Sequence, residues 1–373
     1  MTTSRTYLDH NATSPLRPEA RQAMLAMLEA GGNASSVHAE GRKARAIVED
    51  ARDALAAALG CKRDMITFTS GGTEANNLAV KGTPVGRFVL SGIEHPCVVE
   101  AANATGKPVT QLPVEKDGIV DLKALEAALA ASQETCLVSV MLANNETGVI
   151  EPVAEIAEIA AKHGALVHCD AVQAVGKIPV RWPLLGIDML TLTGHKFGGP
   201  QGAGALFVRE GLEVSPLIHG GGQELRRRPG TENLAAIAGL GAAVTAATQL
   251  TGDIGQMRDR LEAELRAAAP DITIFASNAA RLPNTSCFAI PGMAADTTLI
   301  AADLDGIAVS SGSACSSGKV AASPVLAAMG VDAELAGCAI RVSLGWNTAA
   351  ADIDRFIKVW QKLIDRHRGA VAA

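Results

Sequence analysis

The alternation of short apolar segments with helical ones across the middle of the chain constrains the fold more than any other feature. MITFTS (65–70) is strand-like and runs into GGTEANNLAVKG, which opens a helix. RFVLSG (87–92) and VTQLPV (109–114) are the next strands, and DLKALEAALA (121–130) is a helix. TCLVSVML (135–142) reads as a long apolar strand. In EPVAEIAEIAAKHG (151–164), Pro152 suits a first helical turn. Val153, Ile156, Ile159 and Ala160 form its apolar stripe, and Gly164 suits the C-terminal stop. ALVHCD (165–170), DMLTLTG (188–194) and GALFV (204–208) complete the strands. Short apolar strands separated by helices require an α/β fold: a mostly parallel sheet with helices on both faces.

The character shifts after about residue 250. A charge-rich helix (253–268) leads to strands at 272–275 and 285–290, a helix at 296–303 and a strand at 307–310. A helix at 323–329, a strand at 339–344 and a terminal helix at 351–368 follow. The pattern predicts a large domain over 15–252, and a smaller α+β domain from 1–14 and 253–373.

Composition excludes several classes. Apolar residues make up 48% and charged residues 19%, enough for a sizeable core and against disorder. The formal net charge is −6, and the one basic run, Arg226 to Arg228, reads as a solvated loop, so no nucleic-acid partner is expected. The seven cysteines (61, 97, 136, 169, 287, 315, 338) form no CxxC pair, which disfavours a disulfide framework or zinc knuckle and suits the cytosol. MTTSRTYLDHNAT has no apolar signal region, and no run approaches the roughly 18 apolar residues of a membrane span. No GxxxxGK[ST] string marks a nucleoside triphosphate site.

Polar residues cluster where strands end. Asp170 closes ALVHCD, while Thr193, His195 and Lys196 close DMLTLTGHK. Asn144, Asn145 and Glu146 follow TCLVSVMLA, and Ser70 to Thr73 follow MITF. In a parallel sheet these positions converge at one edge, where ligands bind. A lysine, an aspartate and a Gly-Thr turn at a helix start suit pyridoxal phosphate. Lysine forms a Schiff base with the aldehyde, aspartate keeps the pyridine nitrogen protonated, and helix N–H groups cradle the phosphate. Each has an ordinary alternative: a solvated lysine, a capping aspartate, a loop glycine pair. Cys315 lies in SSGSACSSGK (310–319), whose small residues suit an accessible thiol that enters and leaves a site; the alternative is an incidental loop cysteine. The other six cysteines read as core residues.

Taken together, the motifs resemble a known family. They run from YLDHNATSPL (7–16) through GNASSVH (32–38), FTSGGTEANN (68–77), EHPCV (94–98) and NNETG (144–148). They continue through HCDAVQAVGK (168–177), TGHKFGGPQG (193–202), HGGGQE (219–224), RRPGTEN (227–233) and SSGSACSSG (310–318) to IRVSLG (340–345). The chain resembles cysteine desulfurases of the NifS/IscS type, in the class V aminotransferase group of fold-type I pyridoxal-phosphate enzymes. The resemblance implies a large domain with a seven-stranded-type, mostly parallel sheet.

It also implies residue roles. Lys196 is similar to the Schiff-base lysine, Asp170 to the partner of the pyridine nitrogen, and Gln173 to the contact of the ring's phenolic oxygen. His95 would stack on the ring and shuttle protons. Gly72, Thr73, Thr193 and His195 would hold the phosphate. Thr231 would reach it from the second subunit of a homodimer. Asn33, Asn145 and Arg341 would orient the substrate, Arg341 by its carboxylate. Cys315 is similar to the persulfide cysteine. The implied reaction converts L-cysteine to L-alanine and leaves the sulfur on Cys315 for an acceptor such as an iron–sulfur scaffold. No metal is implied, save a transient contact of Cys315 with an iron–sulfur cluster. The rival readings are a selenocysteine lyase or another class V enzyme, and a sulfur carrier without catalysis.

Overall fold

The computed structural model describes residues 5–249, 253–312 and 323–372. Its strands are β1 (Thr6–Tyr7), β2 (Ile66–Thr69), β3 (Arg87–Ser91), β4 (Val109–Leu112), β5 (Cys136–Ser139), β6 (Leu166–Asp170) and β7 (Met189–Thr193). They continue with β8 (Gly204–Val208), β9 (Thr273–Ile274), β10 (Thr285–Ala289), β11 (Ile307–Ala308), β12 (Ser310–Ser311) and β13 (Ala339–Ser343). One sheet has the order β2-β8-β7-β6-β5-β3-β4. Only β8 runs antiparallel to its neighbours, so the other six strands end at a common edge.

Period-two geometry sends successive side chains of this sheet to opposite faces. In β3, Phe88 and Leu90 join the apolar cluster that holds helices Gly72–Gly82 and Pro96–Asn103. Val89 joins the cluster that holds Leu122–Ala130 and Val153–Lys162. Both faces are therefore covered, and the expected mostly parallel α/β layer is present. Small residues let the helices approach closely. Gly241 of helix Leu234–Thr248 backs onto Ala51 of Ala39–Leu59, where an added Cβ would lie 2.8 Å away.

A second sheet, β12-β13-β10-β9, packs with helices Ile254–Ala268 and Ala350–Ala372 around Phe288, Phe356 and Trp360. The amino terminus joins this region: β1 pairs parallel with β11, and Leu8 is buried in the same cluster. No helix of the described residues is long and apolar enough to cross a membrane.

Several local expectations need correction. The strand expected over 307–310 is two strands: β11 pairs with β1, while β12 pairs antiparallel with β13, so the segment changes sheets at Val309. The long strand over 135–142 leaves the regular ladder after Ser139, although Val140 N and Leu142 N still donate to His168 O and Asp170 O. Pro152 caps its helix from outside rather than sitting in the first turn. Helices Pro18–Ala30, Ala39–Leu59, Pro96–Asn103 and Leu234–Thr248 lie outside the sequence pattern above. The last is apolar nearly all round, so it carries no one-sided stripe to read.

Candidate active site

The strand ends converge on a cavity of about 320 Å³. Gly72, Thr73, His95, Asn145, Asp170, Gln173, Thr193, His195, Lys196 and Arg341 all line it. Asn33 and Thr231 are not among the lining residues of this single chain. Asn33 is exposed, its Oδ1 accepting from Ser35 N at 2.8 Å, and Thr231 borders a separate cavity with Ser70 and Arg228. Cys315 lies outside the described residues.

Past β2, Gly71 sits at the N-cap of helix Gly72–Gly82 without a capping side chain, and the first-turn residues Gly72 and Thr73 border the cavity. An uncapped helix start leaves N–H donors and the positive end of the helix dipole for an anion. Past β7, a single 3₁₀ turn carries His195 and Lys196. Lys196 Nζ donates to Asn11 O at 2.6 Å and Ala12 O at 2.8 Å. His195 Nδ1 lies 3.2 Å from Thr13 Oγ1, and burial, with the charges of Lys196 and Lys177, lowers its pKa to about 4. It is a neutral imidazole at physiological pH.

Asp170 is buried at the end of β6. Its Oδ2 accepts from Asn76 Nδ2 at 2.7 Å and its Oδ1 from Val172 N at 2.9 Å. Both partners are donors, so each carboxyl oxygen of Asp170 accepts one hydrogen bond within the chain. Beneath it His168 is held between Ser139 and Thr191, and burial lowers its pKa to about 4.

His95 caps helix Pro96–Asn103: Cys97 N donates to its Nδ1 at 3.2 Å, and Cys97 Sγ lies 3.0 Å from the same nitrogen. A backbone N–H can only donate, so Nδ1 is the acceptor and the neutral ring carries its proton on Nε2. Asn145 is set by the NNETG turn, in which Asn144 Oδ1 accepts from Glu146 N at 2.9 Å and Thr147 N at 3.0 Å. Glu146 is buried; its Oε2 accepts from Ser323 Oγ at 2.5 Å, and burial pushes its pKa up to about 7.

Arg341 arrives from β13 and is 2% exposed. Its Nη2 donates to Asp9 Oδ1 at 2.8 Å and its Nη1 to Asn145 O at 3.0 Å, while its buried Nε has no partner among the described residues. The guanidinium borders the cavity with only two of its five N–H groups bonded in these contacts.

The aminotransferase class-V family matches residues 6–356. The chain belongs to that family. It is 42% identical over 376 residues to the cysteine desulfurase IscS of Dictyoglomus turgidum, covering 97% of this chain and 95% of that one. The solved NifS-like protein from Rickettsia africae superimposes with a TM-score of 0.91 at 39% identity, covering 97% and 100% of the two chains. SspA, solved in complex with cysteine, matches with a TM-score of 0.81 at 31% identity over 91% and 99%. Within the class V family, the chain is of the cysteine desulfurase kind.

Four residues of this class V site escaped sequence reasoning. Asp9 and Asn11 stand in YLDHNAT and Asn76 in GGTEANN, motifs that carry the resemblance but gave these residues no role. Asn11 is buried and bonded throughout. Its Nδ2 donates to Thr285 Oγ1 and Asn145 O, and its carbonyl accepts from Lys196 and Gln173. The fourth is Cys97. The expectation of a core residue is wrong for it: it is half-buried and lines the cavity. Pro96 starts the helix, so Cys97 falls in the first turn, folded back on His95. Cys136, Cys169, Cys287 and Cys338 are buried, as expected of core positions, while Cys61 is only partly so.

Proposed function

We propose that this protein is a pyridoxal-phosphate cysteine desulfurase that converts L-cysteine to L-alanine and receives the sulfur on Cys315 as a persulfide. The persulfide then supplies iron–sulfur cluster assembly or other sulfur-containing cofactors through an acceptor protein. Residues 15–252 form the cofactor-holding domain, and 1–14 with 253–373 the smaller one. The protein acts in the cytosol as a homodimer. The single observation that carries the reading is that Lys196, Asp170, an uncapped helix start and Arg341 border one cavity.

The donor set fits the cofactor. Lys196 supplies the amine, Asp170 a buried carboxylate for the pyridine nitrogen, and Gln173 an amide for the ring oxygen. Gly72, Thr73, Thr193 and His195, with Thr231 of the second subunit, would hold the phosphate. Asn76 Oδ1, beside Asp170, and Arg341 Nε are buried polar atoms without a partner among the described residues, which a ligand would satisfy. When bound, the cofactor supplies an electron sink that acidifies the substrate's Cα–H and loosens its Cβ–S bond.

The chain's own groups do the rest. Arg341 binds the substrate carboxylate, helped by Asn145 and Asn33. Lys196 Nζ, held by two backbone carbonyls, takes the Cα proton and returns it. His95, its Nδ1 accepting from Cys97 N, would stack on the ring and relay protons. The Cys315 thiolate forms an S–S bond as the substrate's C–S bond breaks. The C–S electron pair stays on carbon, which a proton completes to alanine. A free thiol with a pKa of about 8.5 is only a few per cent ionised at neutral pH, so a neighbouring cation speeds this step.

Purified protein given cysteine and a thiol reductant should form alanine and sulfide in equal amounts, and without the reductant mass spectrometry should find one added sulfur on the peptide bearing Cys315. Cys315→Ser should keep the cofactor and lose the transfer. Full turnover by that variant removes Cys315 from the reaction, and no alanine from the wild type removes the function.

A further inference from the structure

Lys177 is a partly buried lysine that the reaction above leaves unused. After β6 the chain turns tightly: Ala174 N and Val175 N donate to Ala171 O, and Lys177 N donates to Ala174 O. Gly176 adopts φ +77°, and a Cβ there would lie 2.6 Å from Phe197 Cβ, so only glycine passes at this point. The turn brings Lys177 Nζ back beneath Gln173. There it donates to Asn11 Oδ1 at 2.7 Å and to Gln173 Oε1. No carboxylate pairs with it among the described residues; the charges that act on it are those of Lys196 and Arg341. Both of its partners are acceptor oxygens, so Lys177 donates to each as an ammonium or as a neutral amine.

This arrangement leaves the Gln173 amide one orientation. Its oxygen can only accept and its nitrogen can only donate. Lys177 requires the oxygen on its own side. Asn11 O, 2.9 Å from Gln173 Nε2, requires the nitrogen on the other. A flipped amide would set N–H against N–H and oxygen against oxygen at once. The bond to Asn11 O uses one of the two hydrogens on Nε2 and leaves the second, and Gln173 lines the cavity.

We propose that Lys177 is a positioning residue that locks the Gln173 amide, so that Gln173 offers the cofactor's ring oxygen an N–H donor and never its carbonyl. The inference rests on the cofactor reading above. Its consequence is energetic: a donor stabilises the partly anionic ring oxygen, whereas an amide oxygen there repels it.

The test is a double-mutant cycle on the affinity for pyridoxal phosphate, read by absorbance titration of protein stripped of cofactor, with thermal midpoints measured alongside. Lys177→Met should weaken binding about tenfold, and Gln173→Leu by a similar factor. If Lys177 acts through Gln173, the double variant stays near tenfold and does not approach a hundredfold. Lys177→Arg, which keeps donors on a long stem, should recover most of the affinity, a rescue that a purely structural role would not show. Unchanged affinity in Lys177→Met, or losses that multiply in the double variant, overturns the lock. Should Lys177→Met not fold, Lys177→Arg carries the test: affinity within about threefold of wild type is expected, and a tenfold loss overturns it. A wild-type protein that shows no saturable binding of pyridoxal phosphate refutes the cofactor reading itself.

Discussion

The two walls of the cavity are built differently. One wall comes from the seven-stranded sheet, where Thr73, Asp170, Thr193 and Lys196 each stand within a few residues of the end of β2, β6 or β7. Local backbone geometry aims them at one edge. The other wall joins Arg341 of β13 to Asp9 and Asn145 through bonds between residues 332 and 196 positions apart. Asn11 ties the walls together, since its side chain bonds Asn145 and Lys177 while its carbonyl takes Lys196. A wall set by rigid strand ends tolerates the loss of one member. A wall held by a few long-range bonds does not, because each lost partner leaves another buried group unsatisfied.

The sharpest attempt to break this contrast is Lys196→Ala. Borohydride-fixable colour should vanish and turnover fall by at least about a thousandfold, while pyridoxal phosphate still binds non-covalently to the other residues of the strand-end wall. A protein that remains yellow and borohydride-reducible excludes Lys196. Next comes Arg341→Ala. It should raise KM for cysteine about a hundredfold, the scale for truncating one partner of a buried charge pair, and shift cofactor affinity less than about threefold. Equal losses in both would show that the walls are not separable. Asn11→Ala touches both walls, so steady-state kinetics and cofactor titration should each worsen by about tenfold; a change in one alone assigns Asn11 to that wall.

The smallest effect concerns pH. Burial pushes Glu94 up to about 8 and Glu146 and Glu151 up to about 7. Glu94 Oε1 accepts from Ser91 Oγ and Met141 N, linking the loops after β3 and β5 that bring His95 and Asn145 to the cavity. The folded state keeps a proton that the unfolded chain releases near pH 4.5, so this contribution is present at low pH and is lost as pH rises toward 8. The lowered pKa values of His10 to about 3 and of His168 and His195 to about 4 act oppositely, adding stability as pH climbs toward 6.5. Glu94→Gln removes one falling component. Its Tm relative to wild type should rise by about 3 °C between pH 6 and pH 9. A difference that is flat with pH means that Glu94 is already ionised in the folded protein.

The sheet and the strand-end residues were legible before any coordinates, for a shared reason. Uniformly apolar strands between helices admit a parallel layer, and the residue that ends such a strand lies at the binding edge. Cys97 reads as a core residue in sequence because the apolar Val98 and Val99 follow it, whereas Pro96 places it in the first turn of a helix against His95. The segment 307–310 was misread because its pattern suits one strand, and only the competing partners β1 and β13 divide it.

By itself, then, the amino-acid order determined the α/β class, the edge at which chemistry gathers and the family. Each of these rests on periodicity or on motifs contiguous along the chain. Tertiary structure alone decided that Asp9 meets Arg341, that Asn11 joins the two walls and that Lys177 sets the Gln173 amide. Hydrogen bonds have no sequence period: donor and acceptor need only be close in space, and packing the two sheets together is what makes them so.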